Sequence, residues 1–206
     1  MTTINKMVII KENTQRVMSV LLRSVFQDQT ATTLAKELKL SRWGVWKILK
    51  ELEKRGLITL VSLGSGKTST HLIRLNWKND LLEKTLALIF AQEAAEYGRW
   101  KFVFSELESY VDFFILYGSV LHSPKEANDI DIISVISNKK SFLKIDNMLK
   151  EKQVTQSKMI HDIIFSSKEF KYELQKPNKA FIDAIKKGII LFGQEKFIKF
   201  IKEMQK

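Results

Sequence analysis

No cysteine occurs among the 206 residues, which excludes disulfide bridges and any thiolate metal site. Histidine is almost as scarce: three scattered copies, His71, His122 and His161, do not amount to a metal cluster. No apolar run reaches the roughly 18 residues that a membrane-spanning helix needs. The polar start MTTINKMVIIKEN lacks a signal-peptide core and cleavage site. The expectation is a soluble, cytoplasmic protein with no membrane partner. What the chain has is a 45% hydrophobic composition, enough to fill a core in each of two small domains.

Positive charge is in excess, and unevenly so. Residues 1–78 hold 14 Lys and Arg against 5 Asp and Glu, whereas residues 79–206 hold 20 against 18. The net +11 is therefore mostly a property of the first part. Such an excess attracts polyanions by counterion release, so nucleic acid is the leading partner for that part.

Apolar spacing predicts three helices there. Asn13 to Val25 carries Val17, Val20, Leu21 and Val25 at helical intervals, with Asn13 or Thr14 as N-cap. Thr30 to Leu38 is a short second helix, and Lys39-Leu40-Ser41 a turn whose serine caps the third, Arg42 to Arg55. The third turns Val45, Ile48, Leu49 and Leu52 inward and leaves Arg42, Trp43, Trp46, Lys47, Lys50 and Lys54 largely outside, with Gly56 as terminator. Leu57 to Leu63, a Gly64-Ser65-Gly66-Lys67 turn, and Ser69 to Leu75 make a β-hairpin. That turn is no phosphate-binding P-loop: the full pattern needs a glycine where Val61 stands, and a strand follows instead of a helix. Three helices followed by a hairpin is the winged helix-turn-helix arrangement, and Thr30 to Leu75 resembles the winged-helix regulators of bacteria and archaea. The resemblance implies a third helix in the major groove of DNA and a wing on the backbone or minor groove. Arg42, Trp43, Lys47 and Lys67 are the candidate DNA contacts, and the competing use of such a fold is dimerisation or substrate docking with its charges solvated.

Trp77 to Tyr97 reads as a long connecting helix, broken at Gly98. Arg99 to Val111, with Phe102, Phe104, Leu107 and Tyr110, is a further helical segment leading into the next domain. A helix this apolar can pack against another copy, and a homodimer would suit a winged helix that reads two half-sites.

The stretch FFILYGSVLHSPKEANDIDIISVI, Phe113 to Ile136, reads as strand, Gly-Ser turn, loop and strand. Residues i and i+2 of a strand share a face, so Asp129 and Asp131 project together while Ile130 and Ile132 face a core. Two adjacent carboxylates need a proton or a cation, and a divalent metal is the natural third partner. Oxygen ligands suit Mg2+, which takes one or two carboxylates plus substrate phosphates, and that points to a nucleotide. Gly118 allows backbone to approach a triphosphate, and the Ser119 hydroxyl can bind a phosphate oxygen. Asp162, inside the apolar strand Lys158 to Ser166, is costly there without a partner and is the candidate third carboxylate. His161 faces the other way. His122, in the loop, is a weaker candidate base, since metal can activate a hydroxyl without it.

Gly118-Ser119, nine intervening residues, then Asp129-Ile130-Asp131 resemble the signature of the DNA polymerase beta-type nucleotidyltransferases, in particular the minimal nucleotidyltransferases. Asp162 matches the third acidic residue by order and strand context. Ala184 to Phe197, AIKKGIILFGQEKF, is similar to the closing helix, glycine, strand and helix of such domains, so the resemblance spans about Leu107 to Met204. Val120, Leu121 and His122 depart from it, since many members have arginine or small residues there. The resemblance implies a nucleoside triphosphate, two Mg2+ ions held by Asp129, Asp131 and Asp162, and transfer of a nucleoside monophosphate to a hydroxyl of a small molecule, protein or nucleic acid. Asp162 would assist the incoming hydroxyl. Lys140 or Lys144, in a Lys-rich helix from Lys139 to Lys152, could reach the triphosphate, although an exposed charged face is the simpler reading.

The expected fold is α+β: a winged helix-turn-helix over 1–78, connecting helices over 79–106, and a nucleotidyltransferase domain with a mixed sheet over 107–206. The alternative function is a DNA-binding transcriptional regulator whose nucleotidyltransferase domain senses nucleotide or is inactive. The minimal family also implies a third, an antitoxin-like enzyme that adenylylates a partner protein.

Overall fold

The computed structural model describes residues 10–24, 27–64, 70–138, 140–176 and 178–205, and its α+β chain divides into two units, Met1–Leu86 and Ala87–Lys206.

In the first unit, helix α1 (Glu12–Arg23) buries Val17, Met18, Leu21 and Leu22. Its N-cap is Lys11, without a side-chain cap, and not Asn13 or Thr14. Val25 lies outside the described residues. Helix α2 (Ala31–Leu38) is started by a reciprocal pair: the Thr33 N–H donates to the Thr30 hydroxyl at 3.2 Å and the Thr30 N–H to the Thr33 hydroxyl at 2.8 Å, a cap worth about 1 kcal/mol. Lys39, at φ 56°, closes α2, and the Ser41 hydroxyl accepts the Gly44 N–H to open α3 (Arg42–Lys54). Val45, Leu49 and Leu52 are buried. Ile48, expected inward, is only half-buried, and Trp46, expected outside, is half-buried too, with its ring centroid 5.4 Å from that of His71.

Strands β1 (Ile58–Leu63) and β2 (Thr70–Leu75) pair antiparallel, from Ile58 opposite Leu75 to Leu63 opposite Thr70. Most of the intervening turn, including Lys67, lies outside the described residues. Gln29 adds a bridge to Ile73, so the segment between α1 and α2 gives the hairpin a third, one-residue edge. Helix α4 (Asp80–Ala95) starts three residues later than expected. Asn79 explains the delay: its side-chain oxygen accepts the Leu81 N–H while its amide donates to the Gly56 carbonyl, so one side chain satisfies the end of one helix and the start of the next.

The division between the units falls within α4, and residues 87–106, expected as a connector, belong to the second unit. Gly98 does not simply break a helix; it opens α5 (Gly98–Val103), which is followed by a 3-10 turn, Ser105–Tyr110. Trp100, Phe104 and Leu107 join the core of the second unit, whereas Phe102 points outward, 81% exposed.

A four-stranded mixed sheet organises this unit: β3 (Phe113–Tyr117), β4 (Asp129–Ile136), β5 (Met159–Ser166) and β6 (Ile189–Phe192), in the order β5-β4-β3-β6. β3 is antiparallel to both its neighbours, while β4 and β5 are parallel and joined through helix α6 (Lys140–Thr155). Alternation gives the sheet two apolar faces. Phe114, Leu116, Ile130 and Ile132 share one with Phe104, Ile145 and Leu149. Phe142 and Leu143 of α6 are exposed. Phe113 heads the other face, with ring centroids 5.3 to 5.6 Å from Phe170, Phe197 and Phe200. Those rings come from α7 (Ser167–Gln175) and α9 (Gln194–Met204), with α8 (Lys179–Lys187) between. No helix among the described residues is long and apolar enough to cross a membrane.

Candidate functional site

Where β3 ends and β4 begins, the sheet places Tyr117 opposite Asp131. Gly118 follows β3 at φ 83°, ψ −163°, a region essentially reserved for glycine. The reason is the neighbour: a Cβ on Gly118 would stand 2.2 Å from Asp131 Oδ2. Gly118 therefore makes room for the Asp131 carboxylate. Ser119, exposed, starts a single 3-10 turn, Ser119–Leu121, and its carbonyl accepts the His122 and Ser123 N–H groups. At the far side of the loop, the Lys158 ammonium donates to the Ala127 carbonyl, fixing the entry to β4 against the entry to β5.

Asp129 and Asp131 lie on one face, as their spacing requires, and both are half-buried. The partner supplied by β5 is His161, not Asp162. The parallel register sets Asp131 opposite His161 and Ile132 opposite Asp162. His161 Nδ1 is accordingly 3.5 Å from Asp131 Oδ1 and 3.7 Å from Asp129 Oδ2. Donor atoms of these three residues all lie within 4.8 Å of one another, a group that could hold a metal ion. Burial raises the Asp131 carboxyl above its ordinary value; the Asp129 charge adds to the rise and His161 opposes it. The Tyr117 hydroxyl is raised by burial first, then by Asp131, Asp162 and Asp129.

Asp162 faces the opposite side of the sheet, in a cavity of about 390 Å³ whose lining includes Asp146, Leu149 and Ile164. The Ser134 hydroxyl donates to its Oδ1 at 3.0 Å, and its Oδ2 is buried with no hydrogen-bond partner. Burial pushes this carboxyl up to about 7, against the opposing Ser134 bond. A carboxyl raised this far is partly protonated near pH 7, and it escapes the cost of burying a charge only as the pH falls below that value. Asp162 is thus not brought to the Asp129–Asp131 pair. His122 is exposed in the loop and outside the three-residue group. Lys140 and Lys144 sit on α6, which covers the face away from that group, and the Lys144 ammonium lies 5.2 Å from the Tyr110 ring centroid.

The sequence could not single out His161, because both residues of the His161-Asp162 pair sit in a strand and only the register says which shares the Asp129 face.

In the first unit, Arg42, Trp43 and Lys47 are exposed on the first two turns of α3, Trp43 by 66%, with the Lys47 ammonium 5.4 Å from the Trp43 ring centroid. Arg42, Trp43, Trp46 and His71 line a cavity of about 510 Å³ together with Thr30 and Thr70.

Comparison with known proteins gives no match to a family model, to a curated protein or to a solved structure.

Proposed function

We propose that the second unit is a metal-dependent nucleotidyltransferase of the DNA polymerase beta type, moving a nucleoside monophosphate from a nucleoside triphosphate to an acceptor hydroxyl with release of pyrophosphate. The observation that carries this reading is the fit of Gly118 to Asp131: a glycine-only backbone, followed by an exposed serine, closes onto the second of two carboxylates aligned at the mouth of β4. In this reading Asp129 and Asp131 hold a divalent cation, Mg2+ being the ion that carboxylate and phosphate oxygens select. Such an ion, when bound, offsets charge on the phosphates and activates the attacking oxygen. Gly118 leaves room for the Asp131 carboxylate to face the phosphates, and the Ser119 hydroxyl donates to one of their oxygens. Asp162 has no part in the step, since it lies on the other face.

The first unit is read as a DNA-binding winged helix with α3 as its groove helix. In its support stand the order of three helices and a hairpin, the exposed Arg42, Trp43 and Lys47, and the basic excess of residues 1–78. Nucleic acid then serves to localise the enzyme or to supply its acceptor.

The test is incubation of the full chain, and of its Asp129→Ala/Asp131→Ala variant, with each labelled nucleoside triphosphate and Mg2+ or Mn2+. Label transfer and pyrophosphate release by the wild type alone are expected. No transfer, together with no ion-dependent nucleotide binding, would move the reading to a DNA-binding regulator.

A further inference from the structure

His161 has no role in the chemistry proposed above, yet it is the residue that β5 brings to the carboxylates. We propose that His161 is a metal ligand through a ring nitrogen, and that this donor turns the centre from a Mg2+ site into one that prefers Mn2+. The inference rests on the metal-dependent reading and adds the third donor and the ion.

The geometry is that of ligands around one ion more than of a hydrogen-bonded cluster. Two donors each about 2.1 Å from a shared metal stand about 3.0–3.4 Å apart across octahedral or tetrahedral angles. The imidazole nitrogen is 3.5 and 3.7 Å from the two carboxylate oxygens, a few tenths of an ångström beyond that spacing, and donor atoms of the three residues all lie within 4.8 Å of one another. The ring has room to make up that difference, because the His161 side chain is 56% exposed, whereas Asp131 packs against Gly118 and is 23% exposed. A third carboxylate would have made an all-oxygen set. The strand carries one, Asp162, but the register turns it away and hydrogen-bonds it to Ser134.

Donor chemistry then separates Mn2+ from Mg2+. Mg2+ sheds water reluctantly and favours oxygen in strict octahedral geometry, whereas imidazole nitrogen suits first-row transition metals. Mn2+ accepts carboxylates, phosphate oxygens and imidazole together. Among the described residues no other histidine or acidic side chain joins this group.

The test uses the full chain with Mn2+ as probe and Mg2+ as competitor, read by electron spin-echo envelope modulation, which reports a nitrogen bonded to the manganese. Wild type is expected to bind Mn2+ with nitrogen modulation and at least about tenfold more tightly than Mg2+. His161→Ala should lose the modulation and weaken Mn2+. His161→Asp should lose it too and shift the preference towards Mg2+. Mn2+ bound to the wild type without nitrogen modulation would overturn the inference and leave the metal centre standing, with His161 only balancing carboxylate charge. Modulation that persists in His161→Ala would assign the nitrogen elsewhere and overturn it equally. No binding of either ion would remove the metal-dependent reading and this inference together.

Discussion

Replacing Gly118 by alanine perturbs the candidate centre without deleting any donor atom. Two costs follow from the structure. The backbone at φ 83°, ψ −163° lies where a side chain costs about 1–3 kcal/mol. The new methyl would also lie 2.2 Å from Asp131 Oδ2 and 3.1 Å from its Cγ, so the carboxylate must swing away, being the mobile partner in the clash. Loss of orientation at a metal ligand lowers affinity by about 10–100-fold. Gly64 is the internal control. Its φ of 93° is also positive, but an added Cβ there meets nothing within 4 Å among the described residues. Urea unfolding and Mn2+ titration of Gly118→Ala and Gly64→Ala separate the effects: both variants lose stability from strain, while only Gly118→Ala loses ion binding. Wild-type ion affinity in Gly118→Ala would refute the placement of Asp131 against Gly118, and with it the site as drawn.

Asp162→Asn should stabilise the protein at pH 8 and have little effect near pH 4. A carboxyl raised from 3.8 to about 7 binds its proton more tightly folded than unfolded, so its cost is absent below about pH 4, grows between pH 4 and 7, and is complete above. At about 1.4 kcal/mol per pKa unit the ceiling is about 4 kcal/mol, and a pH-independent effect in urea melts would show that burial does not govern this group. Neutralising Arg42 and Lys47 to alanine should weaken duplex DNA binding and reduce the slope of log affinity against log salt by about 1 for each phosphate no longer neutralised. An unchanged slope in fluorescence anisotropy would detach α3 from nucleic-acid binding.

Local signals settled most of the elements before any tertiary contact was known. β-branched and aromatic runs give the strands Phe113–Tyr117 and Asp129–Ile136, because a pleated backbone buries alternate residues whatever its neighbours are. Ser41 starts α3 for an equally local reason, a hydroxyl within reach of a free N–H. The pairing of Asp129 with Asp131 on one face needs only the two-residue period of a strand. Helix ends were less legible where the cap depends on a distant partner: Asn79 delays α4 by bonding Gly56 across 23 positions of the chain. The inward positions of α6 and the outward Phe102 likewise depended on which helix face the sheet came to meet. Above all, tertiary structure decided the third member of the candidate centre. His161 and Asp162 alternate by the same rule as Asp129 and Ile130, but that rule is silent on register, and a one-residue shift between β4 and β5 would exchange them. The observed parallel ladder turns the imidazole to the carboxylates and the carboxyl to Ser134, so a single step of strand pairing sets the chemistry of the site.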